Sequence, residues 1–68
     1  MEIWTRDDGR FYTVEVGEDL LGPAVLVTYG GQHVTRWRTL PVGGKDEAER
    51  MRAKIAKTRA AHGYRLTP

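Results

Sequence analysis

Cysteine and serine are both absent from this 68-residue chain, and aromatic residues make up only 9% of it. Without cysteine there is no disulfide framework, no thiolate zinc site and no thiol nucleophile. Without serine a hydroxyl nucleophile would have to be a threonine such as Thr28, Thr35 or Thr39, and no base stands at a telling spacing from any of them. Histidine occurs twice, at His33 and His62, too few and too far apart for a metal site unless carboxylates help. The carboxylate pairs Asp7-Asp8 and Glu18-Asp19 fall in turn signals, where capping and solvation account for them. No phosphate-loop, metal or dinucleotide fingerprint is present. These residues point away from an enzyme, and no cofactor or metal is expected.

Long apolar runs are also missing. The longest, Ala24 to Val27, is far too short to span a bilayer. Met1 to Asp8 has no basic region, apolar core or small-residue cleavage site of a secretory signal. The expectation is a soluble, cytoplasmic protein with no membrane partner. The length suits one domain, residues 1–68, at the small end of what folds alone. Burial and ordering entropy nearly cancel in so small a chain, so a regular fold, a second copy or a macromolecular partner would add stability.

What is present patterns clearly. Ile3 to Thr5 reads as a short strand, and Asp7-Asp8-Gly9 as a turn in which glycine accepts positive φ. Phe11 to Val16 is β-branched and aromatic, a second strand. Gly17 to Pro23 reads as a loop with Leu20 and Leu21 tucked under the sheet. Ala24 to Tyr29 is a third strand, Gly30-Gly31 a tight turn, and Val34 to Leu40 a fourth strand ended by Pro41 to Gly44. A two-residue turn would pair Val27 with Val34, and a three-residue loop Val25 with Trp37; the sequence leaves both open. From Lys45 to His62 the period becomes helical, with Ala48, Met51, Ile55 and Ala56 as an apolar stripe. Asp46 and Glu47 open the helix and Lys54, Lys57 and Arg59 follow, which suits the macrodipole. Asp46 and Arg50 form a favourable i,i+4 pair. Gly63 is a natural residue to end the helix, and Tyr64 to Leu66 follow as a short strand or docked tail. The fold class is α+β: a small antiparallel sheet of four to five strands packed against one long helix.

Charge is unevenly placed although its net value is only +2. Every acid lies at or before Glu49, and beyond it come Arg50, Arg52, Lys54, Lys57, Arg59 and Arg65. Leu20 to Gly44 also lacks acids and carries Arg36 and Arg38. A basic helix face beside basic strand residues is the footprint of a phosphate backbone, while lysine and arginine also decorate ordinary solvated helices. Within Arg36-Trp37-Arg38, alternation puts both arginines on one face and Trp37 on the other. Either Trp37 anchors the core above solvated arginines, or two guanidiniums two positions apart meet adjacent phosphates. Trp4, Phe11, Tyr12 and Tyr64 read as core, because so small a chain needs its large apolar side chains inside. Tyr29-Gly30-Gly31 sets an aromatic before a glycine pair, which either turns a hairpin with positive φ or lets an anion approach backbone N–H groups.

The order of these features resembles a WGR domain. Arg10-Phe11-Tyr12-Thr13-Val14-Glu15-Val16, then Glu18-Asp19-Leu20-Leu21-Gly22, then Ala24 to Gly30 is similar to the front half of that family. Asp46-Glu47-Ala48 opening the helix and His62-Gly63-Tyr64-Arg65 closing it resemble the back half. The resemblance spans about residues 10–65. It implies a small α+β module of the kind found in DNA-break-responsive poly(ADP-ribose) polymerases and in short stand-alone bacterial proteins. There the motif's aromatic and arginine contact the sugar-phosphate backbone near a strand end, and the domain also makes protein contacts. Here Tyr29 stands in place of the tryptophan and Gly30 matches the glycine. Ungapped, Gly31 replaces the arginine, whereas a gapped reading matches Gly31-Gln32 to a later Gly-Gln of the family with a shortened loop, and neither leaves a motif arginine. The implied function is non-enzymatic binding of DNA through Tyr29, Gly30, Gly31, Arg36, Arg38, Lys54 and Lys57. The alternative is a module for protein contact or dimerisation that has lost DNA binding.

Overall fold

Strict alternation in an antiparallel ladder places directly opposed residues on the same face of a sheet. This sorts the strand residues of the computed structural model, which describes residues 1–68. The strands are β1 (Glu2–Thr5), β2 (Phe11–Asp19), β3 (Gly22–Gly30) and β4 (Thr35–Pro41), followed by helix α1 (Lys45–Ala61) and β5 (Arg65–Thr67). They form one antiparallel sheet in the order β4-β3-β2-β1-β5, with α1 against one face: an α+β fold. No helix is long and apolar enough to cross a membrane.

Val14 opposes both Glu2 and Val27, Tyr12 opposes Trp4 and Tyr29, and Val25 opposes Leu40. This face meets the helix. Trp4, Val14, Val25, Val27 and Ala48 form the buried cluster, with Tyr12, Leu40, Met51, Ile55, Ala56 and Tyr64 packed around it. The helical stripe expected from periodicity is the one that docks. Phe11 belongs instead to the other face, opposite Thr5 and Gly30, and lies outside the cluster. Its strand neighbour Tyr12 takes the inward position, and strand alternation forbids both.

The first turn forms as its residues dictate. Gly9 has φ of 89°, its N–H donates to the Arg6 carbonyl at 3.1 Å, and the Arg6 N–H donates to the Arg10 carbonyl at 2.9 Å. The second hairpin departs from expectation. No loop runs from Gly17 to Pro23; β2 and β3 pair out to Asp19 and Gly22, and only Leu20 and Leu21 remain as the turn. The Asp19 carboxylate accepts the Leu21 N–H at 2.7 Å, and Gly22 takes φ of 128°. A two-residue turn lies beyond the last rung, so both leucines are exposed instead of tucked under the sheet.

The β3–β4 hairpin adopts neither expected register. Gly30 opposes Thr35 and Thr28 opposes Trp37, so four residues, Gly31 to Val34, close the loop. Neither Gly30 nor Gly31 has positive φ. What demands glycine at 30 is proximity: a Cβ there would lie 1.9 Å from the Val34 carbonyl oxygen.

Helix α1 starts at Gly44 without a side-chain cap. The Glu47 carboxylate instead accepts the Gly43 N–H at 2.7 Å just ahead of the first turn. Asp46 and Arg50 make no ion pair; the helical pair formed is Arg52 with Glu49, which Arg52 extends to Glu2 on β1 at 2.6 Å. Arg52 sits on the sheet-facing side of the helix and Arg50 does not, which decides the partner. Gly63, at φ of 85°, lets the Tyr64 N–H reach back to the Arg59 carbonyl at 3.0 Å and ends the helix. The chain then enters β5 beside β1.

Candidate functional site

Tyr29 opposes Arg36, and Val27 opposes Arg38. Both arginines therefore stand on the helix side of the sheet. They are nevertheless exposed, because α1 lies over β2 and β3 while β4 is the edge strand. The helix starts beside the Pro41 end of β4 and finishes at β1, where the Arg6 guanidinium donates to the His62 carbonyl at 3.2 Å. That diagonal leaves a corner uncovered at the Gly30–Thr35 end of β3 and β4. Tyr29, Arg36 and Arg38 occupy it.

The helix borders this corner with one flank. Arg52, tied to Glu2 of β1, marks the flank facing β1. Lys54 is turned roughly 120° from Ala48 toward the opposite flank, on the β4 side. Lys57 is turned roughly 180° from Ala48, away from the sheet, and does not join the group. Strand register puts Tyr29, Arg36 and Arg38 together, and helix geometry turns Lys54 toward their side.

A row of rings and guanidiniums runs behind the corner. Tyr29 stacks on Tyr12 with ring centroids 5.8 Å apart and planes 20° from parallel. The Arg59 guanidinium lies 4.4 Å from the Tyr12 centroid and 5.2 Å from that of Tyr64, and Arg6 covers Tyr64 at 5.0 Å. Arg59 Nε is buried without a hydrogen-bond partner, so its charge is held by the two ring faces. Sequence reasoning missed Arg59 as part of the site. The signal was available: 48, 52, 55 and 59 are one helical stripe, and arginines at 52 and 59 interrupt an otherwise apolar face.

The glycines at the motif position serve the hairpin. The Gly31 N–H donates to the Val34 carbonyl at 2.9 Å, so it is not free to cradle an anion. A Cβ on Gly31 would have space, its nearest neighbour being Arg10 Cγ at 4.0 Å. Trp37 points to the open face and is 76% exposed, so it does not anchor the core. It cannot, because strand alternation directs it away from α1. With Tyr29, Thr35 and Arg36 it lines a shallow depression of about 270 Å³ at the sheet edge. A second depression, about 430 Å³, lies at the start of α1 among Gly43, Gly44, Lys45, Asp46, Glu47 and Arg50.

Charge is sorted by pairing as well as by place. Arg6 and Arg10 bond Asp8, Arg65 bonds Asp7, and Arg52 bonds Glu2 and Glu49. Arg36, Arg38, Lys45, Arg50, Lys54, Lys57 and Arg59 lie outside every ion pair. The hydrogen bond from Arg6, joined by the Arg10 N–H, pulls the Asp8 carboxyl down to about 2. Glu49 is lowered by the Arg52 hydrogen bond, and Arg52 is raised by the same contact. Glu18 and Asp19 sit at the β2–β3 tip, at the far end of β3 from Tyr29. No three side chains of the metal-ligating types come together. No family model, curated protein or solved structure matches this chain.

Proposed function

We propose that the corner formed by Tyr29, Arg36, Arg38 and Lys54 binds the phosphate backbone of a nucleic acid without reading bases. The observation that carries this reading is where the arginines without a carboxylate lie: Arg36 and Arg38 share one exposed face of β4. Arg6 and Arg10 share Asp8, Arg52 bonds Glu2 and Glu49, Arg65 bonds Asp7, and the other two without one, Arg50 and Arg59, lie on the helix. The Cα atoms at positions i and i+2 of a strand stand about 6–7 Å apart, so two arginine side chains can span successive phosphates along one strand. Each can fork onto phosphate oxygens. Tyr29, braced by Tyr12, offers an aromatic surface beside them for a sugar or terminal base. The resemblance to WGR domains supports the same assignment at Tyr29, with Arg36 and Arg38 taking the part of the arginine that Gly31 replaces.

Binding of this kind is dominated by counterion release, so affinity falls steeply with salt. With about three to four phosphates neutralised, raising salt from 50 to 200 mM costs on the order of 10²-fold. The test is a fluorescence-anisotropy titration against nicked, blunt-ended and intact duplexes at those two salt concentrations. Salt-sensitive binding, tightest where a strand end is present, is expected. Duplexes that show no change at 50 mM salt would refute the proposal.

A further inference from the structure

The backbone of β4 carries a second kind of recognition surface. In the β3–β4 ladder the Gly31 N–H bonds the Val34 carbonyl, and the Val42 N–H bonds the Pro23 carbonyl at 3.1 Å. Both fit the register that pairs Tyr29 with Arg36 and Val27 with Arg38. Hydrogen-bonded pairs alternate along an antiparallel ladder, so Arg36, Arg38 and Leu40 turn their backbone groups inward to β3. Thr35, Trp37 and Thr39 therefore turn theirs outward. β4 ends the sheet, and no element covers that side. Free edges are commonly blunted by shortness, proline, bulges or charged side chains, and of these β4 carries the charges, Arg36 and Arg38. Here the register is unbroken over seven residues, and proline enters only at Pro41, the last.

From this arrangement we propose that β4 docks an extended acidic segment of another protein as a sixth, antiparallel strand. Three outward residues supply the main-chain bonds, and the side chains choose the partner. Arg36 and Arg38 would face the incoming strand at non-hydrogen-bonded positions, where opposed side chains approach most closely. Both lack carboxylate partners, and acids at i and i+2 of the segment would supply them. On the open face Trp37 takes the apolar residue between those acids, next to the edge depression it lines with Thr35, Tyr29 and Arg36. The expected pattern is acid, apolar, acid, centred on Trp37.

Charge also argues against a second copy in this place. Two β4 strands paired about a two-fold through Trp37 would set Arg36 of each against Arg38 of the other, a like-charge contact that antiparallel pairing disfavours. β5 is only three residues long, and its charged residue is Arg65. The inference stands on the strand edge and does not rest on the nucleic-acid reading, although the two ligands would compete for the same guanidiniums.

The test uses the full chain and a blocked heptapeptide, Thr-Thr-Glu-Val-Glu-Thr-Thr, followed by amide exchange and by Trp37 fluorescence. Exchange at Thr35, Trp37 and Thr39 should slow at least tenfold at saturating peptide. Replacing both glutamates by glutamine, or methylating the valine nitrogen, should each weaken binding at least tenfold. Thr39→Pro removes one outward donor without touching the β3 ladder; it should weaken the peptide while leaving the melting temperature within a few degrees. Arg36→Glu with Arg38→Glu should transfer preference to the lysine version of the peptide. No binding, or binding indifferent to valine methylation with no slowing at those three amides, overturns the proposal. Duplex binding with no peptide binding overturns it too, while leaving the phosphate reading intact.

Discussion

Arg36 faces Tyr29 directly across the β4–β3 ladder, and Tyr29 in turn stacks on Tyr12 at 5.8 Å. An exposed arginine without a carboxylate partner thereby stands across the ladder from a tyrosine that is itself stacked on a second ring. The next link is Arg59, 4.4 Å from the Tyr12 centroid, so the exposed corner is continuous with a half-buried cation. The corner is a consequence of cross-strand register.

Removing the two strand guanidiniums should weaken duplex binding alike for every sequence. For Arg36→Ala with Arg38→Ala the salt slope should fall by about 2, one unit for each phosphate no longer neutralised. Both side chains are exposed and unpaired, so thermal unfolding should hardly move. A slope unchanged from the parent protein would exclude these residues as phosphate ligands.

The two glycines should respond in opposite ways. At Gly30 any side chain collides with the Val34 carbonyl, so Gly30→Ala should cost roughly 2–4 kcal/mol and loosen the β3–β4 hairpin. At Gly31 a side chain finds open space and ordinary φ, so Gly31→Arg should fold normally. On the proposed phosphate-binding reading the added guanidinium should tighten duplex binding about tenfold or more, the equivalent of a charge-assisted hydrogen bond of ~1.5–3 kcal/mol. Denaturant unfolding and anisotropy together check the pair.

The two tryptophans should separate cleanly by fluorescence and by stability. Trp4 is buried and Trp37 is not, so acrylamide should quench Trp37 first. Trp4→Ala should cost roughly 3–5 kcal/mol, enough to unfold a chain of this size, whereas Trp37→Ala should stay within about 0.5 kcal/mol of the parent. Leu20→Lys should be equally silent, since that side chain meets nothing but water at the hairpin tip.

Acid should destabilise the protein through Asp8. Its folded-state carboxyl sits at about 2, against an ordinary value of 3.8, because Arg6 and the Arg10 N–H hold the charged form. A depressed carboxyl adds stability that is complete above its unfolded value and is lost as pH falls through the folded value. Urea midpoints should therefore drop between about pH 4 and pH 2. Asp8→Asn should flatten that part of the profile, and an identical drop in the variant would assign the effect elsewhere.

Arg59 should matter to stability more than a helix-surface arginine does. Its guanidinium is shared by two tyrosine rings and its Nε is buried, so Arg59→Ala should cost about 1–2 kcal/mol, against nearly nothing for Arg50→Ala. Thermal unfolding of the two variants side by side checks this.

Local chemistry was legible in the residues themselves. The Asp-Gly turn at Gly9, the helix bounded by Lys45 and Gly63, its apolar stripe through Ala48 and Ile55, and the opposite facing of Trp37 and its flanking arginines all follow from periods and backbone preferences over a few neighbours. The sequence also determined that Arg50, Arg52, Lys54, Lys57, Arg59 and Arg65 follow the last acid, Glu49. What it left open depended on distant parts of the chain. The β3–β4 register rests on the Val34 carbonyl closing against Gly30, and the fate of Leu20 and Leu21 on how far β2 and β3 stay zipped. The exposure of Arg36 and Arg38 depends on a diagonal helix stopping short of an edge strand. Strand alternation assigns residues to faces but says nothing about which part of a face is covered. That was decided only by where the helix came to rest, between the β4 edge where it starts and the β1 turn where Arg6 holds its end.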